Sequence, residues 1–209
     1  MMQSAGIGPN YRVDECPSFF MCDTPLSTDA GSGVARFDLA AAKAELAKTS
    51  YAGEPVIMLE VVGSIQTAAG NLLAQNMKQI GFTVDEQVMD WGTVLARRAK
   101  KDGWSLFPVY ANGIDMASPL TNFYISNNCA DYPGWSCDAT MTKLLEEFAA
   151  ASDEAEHKRI AAEIQVVAYR TTPCVMWGQF SRPAGYRKRL TDLMQSSFPI
   201  FWNVKMSAA

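Results

Sequence analysis

The chain is poor in residues that do chemistry. One histidine, His157, occurs in 209 residues, and it sits in EAEHKR on what reads as the charged face of a helix. A nucleophile needs a base within hydrogen-bond reach, and His157 is the one ordinary base on offer. GxSxG, HExxH, CxxC and Walker sequences are all missing, so the usual hydrolase, zincin, dithiol and P-loop signatures are gone with them. The early GIGPN has no strand before it and no helix after it, so it reads as a turn and not as a phosphate loop. No apolar run approaches the ~20 residues that span a bilayer. The first twenty residues also lack a charged n-region followed by an apolar h-region, so they are not read as a signal peptide. Either the chain works in the cytosol or it begins within a longer one.

Charge of one sign is also scarce. Eighteen Lys and Arg stand against twenty-two Asp and Glu, a net charge of -4, which argues against nucleic acid as the main partner. Hydrophobic residues at 48% fit a globular protein with a real core. Five cysteines are present. Cys16 and Cys22 flank PSFFM, Cys129 and Cys137 flank ADYPGWS, and Cys174 is left over as a small buried hydrophobe. The two close pairs read equally well as disulfides, which imply an oxidising compartment, or as free thiols. Zinc is disfavoured because CxxC spacing is absent and only one imidazole exists; no cofactor or metal is expected.

Periodicity divides the chain into three. Residues 1–36 are rich in Gly, Pro, Ser and Asp and read as an extended connector or hinge segment. Residues 37–174 read as an α/β lobe. Asp38 caps a helix, Val56–Val62 is a continuous apolar run suited to a parallel strand covered on both faces, and Gln66–Ile80 is a helix closed by Gly81. Phe82–Val88 alternates as a half-buried strand, a helix runs from Trp91 to about Lys101, and Trp104–Tyr110 is expected as a third strand. The order αβαβαβ predicts a mostly parallel sheet flanked by helices. After a long loop over 111–136, two helices are expected, from Asp138 to Ala149 and from Asp153 to about Arg170. Residues 175–209 hold short strands near Val175–Phe180 and Phe201–Val204.

Binding is easier to locate than catalysis. Asp115 follows the third strand within ANGIDMASP, and ligands of open α/β sheets sit beyond the carboxyl ends of strands. Its carboxylate suits an ammonium group, or equally an Asx-turn or helix cap. Arg97, Arg98, Lys100 and Lys101 complement a helix dipole at its C-terminus, with an anionic ligand group as the alternative partner of Arg98. Trp91 and Trp104 serve as core or as the wall of a cleft.

The segments CPSFFMCDTPLSTDAG, FDLAAAKAELAKTSYAGEPVIML, Asp90-Trp91 with the following Arg97-Arg98, GWSLF, Asp115 with Pro119, PAGYRKRL and the terminal FWNV together resemble bacterial extracytoplasmic solute-binding proteins of family 5, the dipeptide, oligopeptide and nickel class that serves ABC importers. The resemblance runs over residues 10–205. It implies the C-terminal lobe of a periplasmic-binding-protein-like (class II) fold, with 175–209 returning to complete a first lobe that lies outside this chain. It implies capture of a peptide-like solute in an interlobe cleft, delivery to a membrane permease, an extracytoplasmic location, and a monomer when complete. Asp115 matches the aspartate that receives a peptide's α-amino group; Trp91 and Arg98 match residues that line the ligand or meet its carboxylate. Asn112 stands where oligopeptide binders carry a tryptophan. Two other readings remain: a non-catalytic interaction module, and a small α/β enzyme. With one wall of the cleft present, the chain alone is expected to bind solute weakly or not at all.

Overall fold

The computed structural model describes residues 1–125, 129 and 132–207. Local chemistry sets most element ends. After the short strand β1 (Arg12–Val13), helix α1 (Leu39–Leu46) starts at Asp38, whose carboxylate accepts from Ala41 N at 2.9 Å. Strand β2 (Val56–Val61) leads through the Ser64 cap into α2 (Ile65–Ile80), and β3 (Val84–Met89) leads through the Asp90 cap into α3 (Trp91–Arg98). Each cap satisfies an N–H group that the first helical turn cannot pair internally. Helix α2 ends at Gly81 with φ 117°, a left-handed conformation that glycine adopts without a Cβ clash. A Cβ there meets only Leu46 Cδ2, at an ordinary 3.5 Å. Gly81→Ala is therefore expected to cost about 1 kcal/mol through the backbone alone. Urea denaturation checks this, and a loss above about 2 kcal/mol would reveal strain beyond the dihedral.

The sheet is smaller than the periodicity predicts. β2 and β3 pair in parallel over Val56↔Val84 to Val61↔Met89, as expected. The third strand shrinks to a single parallel bridge, Met58↔Leu106, supported by Leu59 N→Leu106 O (3.0 Å) and Ser105 N→Ile57 O (2.8 Å). Pro108 explains the difference, because it has no N–H to continue a ladder. Helix α3 likewise ends at Arg98 and not Lys101. Helices α4 (Ala139–Ala150) and α5 (Glu154–Thr171) follow, capped by Asp138 and Asp153. The last three strands are two residues each: β4 (Gln179–Phe180) against β1, and β5 (Leu190–Thr191) against β6 (Lys205–Met206), both antiparallel. They replace the longer strands expected at 175–180 and 201–204. Of the long loop, residues 126–128, 130 and 131 lie outside the described residues.

The main core is the α4–α5 hairpin. Met141, Leu144 and Phe148 face Ile160, Ile164, Val167 and Ala168, and Phe19, Phe20 and Ile125 close the cluster. The first segment is thus irregular yet packed: Phe19 and Phe20 are each 2% exposed. Gln165, fully buried on α5, holds that segment in place. Its Oε1 accepts from Ser18 Oγ (3.2 Å) and Phe19 N (3.1 Å), and its Nε2 donates to Thr28 O (2.7 Å) and Ala30 O (2.9 Å). Tyr169 Oη adds a bond to Pro17 O at 2.8 Å, and Asn122 Nδ2 one to Phe19 O at 2.8 Å.

A second buried polar residue lies under α2. Glu60, in the middle of β2, is fully buried, and a Cβ at Gly70 would overlap its carboxylate. With the Asn71 amide oriented so that both its ends are satisfied, Asn71 Nδ2 donates to Glu60 Oε2 at 3.1 Å. Burial, and then the neighbouring charge of Glu86, push the Glu60 carboxyl up to about 7.

Candidate functional site

Beyond Pro108 the chain leaves the sheet and runs along the surface as 108–113. Residues 177–182 run beside it. Trp177 Nε1 donates to Val109 O (3.3 Å), Arg182 donates to Tyr110 Oη (3.0 Å), and the Phe180 ring meets those of Trp177 (5.6 Å) and Tyr110 (6.2 Å). Between these segments and the loop of Cys16–Cys22 opens a cleft of about 1010 Å³, backed by Ala69, Gly70 and Leu73 of α2. Small residues on that face of α2 leave the space open. The volume stands at the upper end of the range of small-molecule clefts, and aromatic residues are prominent in the lining. Cys16 and Cys22 form a disulfide with Cα atoms 6.1 Å apart, and Cys129 and Cys137 form another at 4.7 Å.

The residues predicted from sequence fall into two places and a periphery. Asn112 lines the cleft and is exposed. Arg98 and Trp91 sit together, the guanidinium 5.1 Å from the Trp91 ring centre, 5.1 Å from Phe107 and 5.8 Å from Tyr132. Phe107 and Tyr132 themselves line the cleft, so Arg98 and Trp91 back its wall instead of opening directly into it. Cation–π contact holds the guanidinium in an aromatic cage. Arg97, by contrast, is spent locally, donating to Gln87 Oε1 and to Gly103 O (2.6 Å). Asp115 occupies a 3-10 turn, Gly113–Met116, whose first and last residues line the cleft while Asp115 itself does not. It is half-buried, and no hydrogen bond or ion pair to its carboxylate occurs among the described residues.

Sequence reasoning missed Tyr110, Phe107, Tyr132 and Arg182. Phe107 ends the GWSLF segment, but nothing in that run marks it as cleft lining; Tyr110, Tyr132 and Arg182 belong to no motif and meet at the cleft only through chain reversal. Trp104, which it did weigh as a cleft wall, lines the cleft, its ring 5.2 Å from Phe107 and its Nε1 donating to Lys100 O at 2.7 Å.

Cys174 and His157 are the cysteine and histidine outside the disulfides, the residue types that carry nucleophile or base chemistry. The Cys174 thiol lines the cleft, but burial pushes it up to about 12, so it is not a thiolate at neutral pH. His157 stacks on Phe148 of the α4–α5 hairpin, 4.6 Å between ring centres, and does not line the cleft. Among the described residues, no cluster of three or more His, Cys, Asp or Glu could hold a metal ion, and no helix is long and apolar enough to cross a membrane.

No protein-family model matches the chain. A probable peptide ABC transporter periplasmic-binding protein of Sinorhizobium fredii is 28% identical over 171 residues, 78% of this chain and 32% of that protein. The ABC transporter substrate binding protein CtaP of Listeria monocytogenes superposes with a TM-score of 0.71 at 20% identity, over 86% of this chain and 36% of the other. A dipeptide binding protein of Pseudoalteromonas sp. SM9913, solved in complex with Met-Leu, superposes at 0.67 with 16% identity, over 99% of this chain and 42% of the other. The chain thus spans about a third of the length of its curated relative. Its parallel β2–α2–β3–α3 unit, capped α4–α5 hairpin and short flanking ladders make up part of the periplasmic-binding-protein-like (class II) fold of ABC transporter substrate-binding proteins.

Proposed function

We propose that the chain supplies one wall of a hinged cleft that captures a peptide or similar small solute for an ABC importer. The cleft of about 1010 Å³ beyond the end of the parallel unit is the observation that carries this reading. It is supported by similarity to a probable peptide-binding component and by a fold shared with peptide-binding proteins. Asp115, whose carboxylate has no partner among the described residues, is the contact for the solute's ammonium group. Asn112 lies against the solute, and Trp91 and Arg98 stiffen or extend the wall. The two disulfides suit an oxidising, extracytoplasmic compartment, and a membrane permease is the receiving partner.

The tail supports a second lobe. Trp202 is 87% exposed and Phe201 71%, two adjacent large rings open to solvent. Residues 175–209 would return into a first lobe and bury those rings there.

Calorimetry or NMR titration of the 209-residue chain with free dipeptides tests the reading. Binding is expected to be weak, because one wall buries only part of a ligand. Asp115→Asn is expected to weaken a free-amine dipeptide by about tenfold or more, with the N-acetylated form unaffected. An equal effect on both forms would remove Asp115 as the ammonium contact, and nanomolar affinity of the isolated chain would remove the need for a second wall.

A further inference from the structure

We infer that Arg182 is the specificity-determining residue of this cleft and that it selects solutes carrying a carboxylate. The inference rests on the cleft being the solute site proposed above. Among the described residues that line the cleft, Arg182 is the single formally charged side chain. Apart from Met1, whose α-ammonium is a second cation, the rest of the lining is apolar, aromatic, or neutral and polar, so no carboxylate on these walls competes for the guanidinium. None of the ion pairs among the described residues involves Arg182.

Its placement is fixed from one side only. The guanidinium donates to Tyr110 Oη at 3.0 Å and lies 5.8 Å from the centre of that ring. Tyr110 is held in turn by Phe180 and by its place in the strand-end segment. One N–H of the planar fork is thereby used, and the others are left to water or to a ligand. A guanidinium anchored at one edge and open at the other presents a paired set of donors to a carboxylate. The single short β1–β4 ladder, Arg12↔Phe180 and Val13↔Gln179, fixes the backbone two residues before Arg182, and Ser181 N donates to Tyr11 O at 2.6 Å. The side chain is exposed, so nothing inside the fold needs its charge.

The arrangement predicts the chemistry of the solute: a mainly apolar body against Trp104, Phe107 and Trp177, and one carboxylate at Arg182. A neutral analogue of the same shape keeps the apolar contact and loses the ionic one.

N-acetyl-leucine and N-acetylleucinamide are the probes, since both lack the ammonium group assigned to Asp115. Each is titrated to millimolar concentration into the ¹⁵N-labelled 209-residue chain, with the Trp177 indole and Gln179 amide resonances as readouts. The acid is expected to bind about tenfold or more tightly than the amide, and its affinity to fall with added salt. In Arg182→Gln the acid drops to the level of the amide, and Arg182→Lys lies between the two. An unchanged spectrum outside the cleft shows that the variants fold. Equal binding of acid and amide by the natural chain overturns the role of Arg182 and leaves the cleft standing. An acid preference that survives in Arg182→Gln also overturns it. If neither probe moves the cleft resonances, the solute-site reading fails together with this one.

Discussion

Gln165→Leu is expected to destabilise the chain by about 3–5 kcal/mol, the largest effect of any single substitution considered. The amide is fully buried and makes two accepted and two donated hydrogen bonds to residues 18, 19, 28 and 30. Leucine fills the volume but leaves two carbonyls, a hydroxyl and an amide N–H without that partner. Each buried group so stranded costs ~1–3 kcal/mol, reduced where water can enter. Urea denaturation reads the total. Amide hydrogen exchange reads the location: protection should be lost first over residues 17–31, while the β2–β3 ladder keeps its own. A loss under about 1 kcal/mol would show that Phe19 and Phe20 hold the segment by packing alone. Release of this segment also carries away Cys16 and Cys22, which line the cleft, so ligand binding should weaken along with stability.

Glu60→Gln is expected to stabilise the chain at pH 8 by about 2–3 kcal/mol relative to its effect at pH 4.5. Burial, reinforced by Glu86, raises the folded-state carboxyl from an ordinary 4.5 to about 7. Below about 4.5 the group is protonated in both folded and unfolded chains and imposes no penalty. Between about 4.5 and 7 the unfolded chain ionises while the folded chain keeps its proton, so stability falls as pH rises. Above 7 the penalty is constant. Glutamine has the neutral form's shape and removes this dependence. Asp90, Asp138, Glu154 and Glu156 are shifted the other way, downward, mainly by hydrogen bonds at caps and pairs. Their stabilisation is lost as pH falls, so the comparison must be the difference between Glu60→Gln and the natural chain across pH, by urea denaturation. A difference that is flat from pH 4.5 to 8 would falsify the assignment. Because the Glu60 carboxylate lies against Gly70, which lines the cleft, the same titration sits directly behind the cleft wall.

The elements that could be read from sequence are those whose information is local. Asp38, Asp138 and Asp153 cap helices where a short acceptor precedes an apolar stripe, and Gly81 ends one where only glycine adopts the needed backbone without cost. The apolar run of β2 and the alternation of β3 reflect burial on two faces and on one. Trp104–Tyr110 went wrong because its apolar content reads as strand while Pro108 forbids the ladder. The segments that resemble family 5 were legible for the same reason, as short runs of residues at definite spacing. Asp115 is singled out by its position after a strand and Asn112 only by the resemblance; of the two, Asn112 lines the cleft.

What lies beside Asn112 in the cleft lining was not legible. Arg182 and Tyr110 are separated by 72 residues, and no periodicity relates them. Gln165 looks in sequence like any polar residue on a helix, and Glu60 like an interruption of a strand. By itself, then, the sequence determined the elements, their caps and turns and the type of fold they imply, because propensity, capping and periodicity act over a few residues. Tertiary structure alone decided which polar groups are buried, that Phe19 and Phe20 belong to the α4–α5 core, and that one arginine faces the cleft. Those outcomes depend on contacts between distant segments, whose energies exist only once the chain has closed on itself.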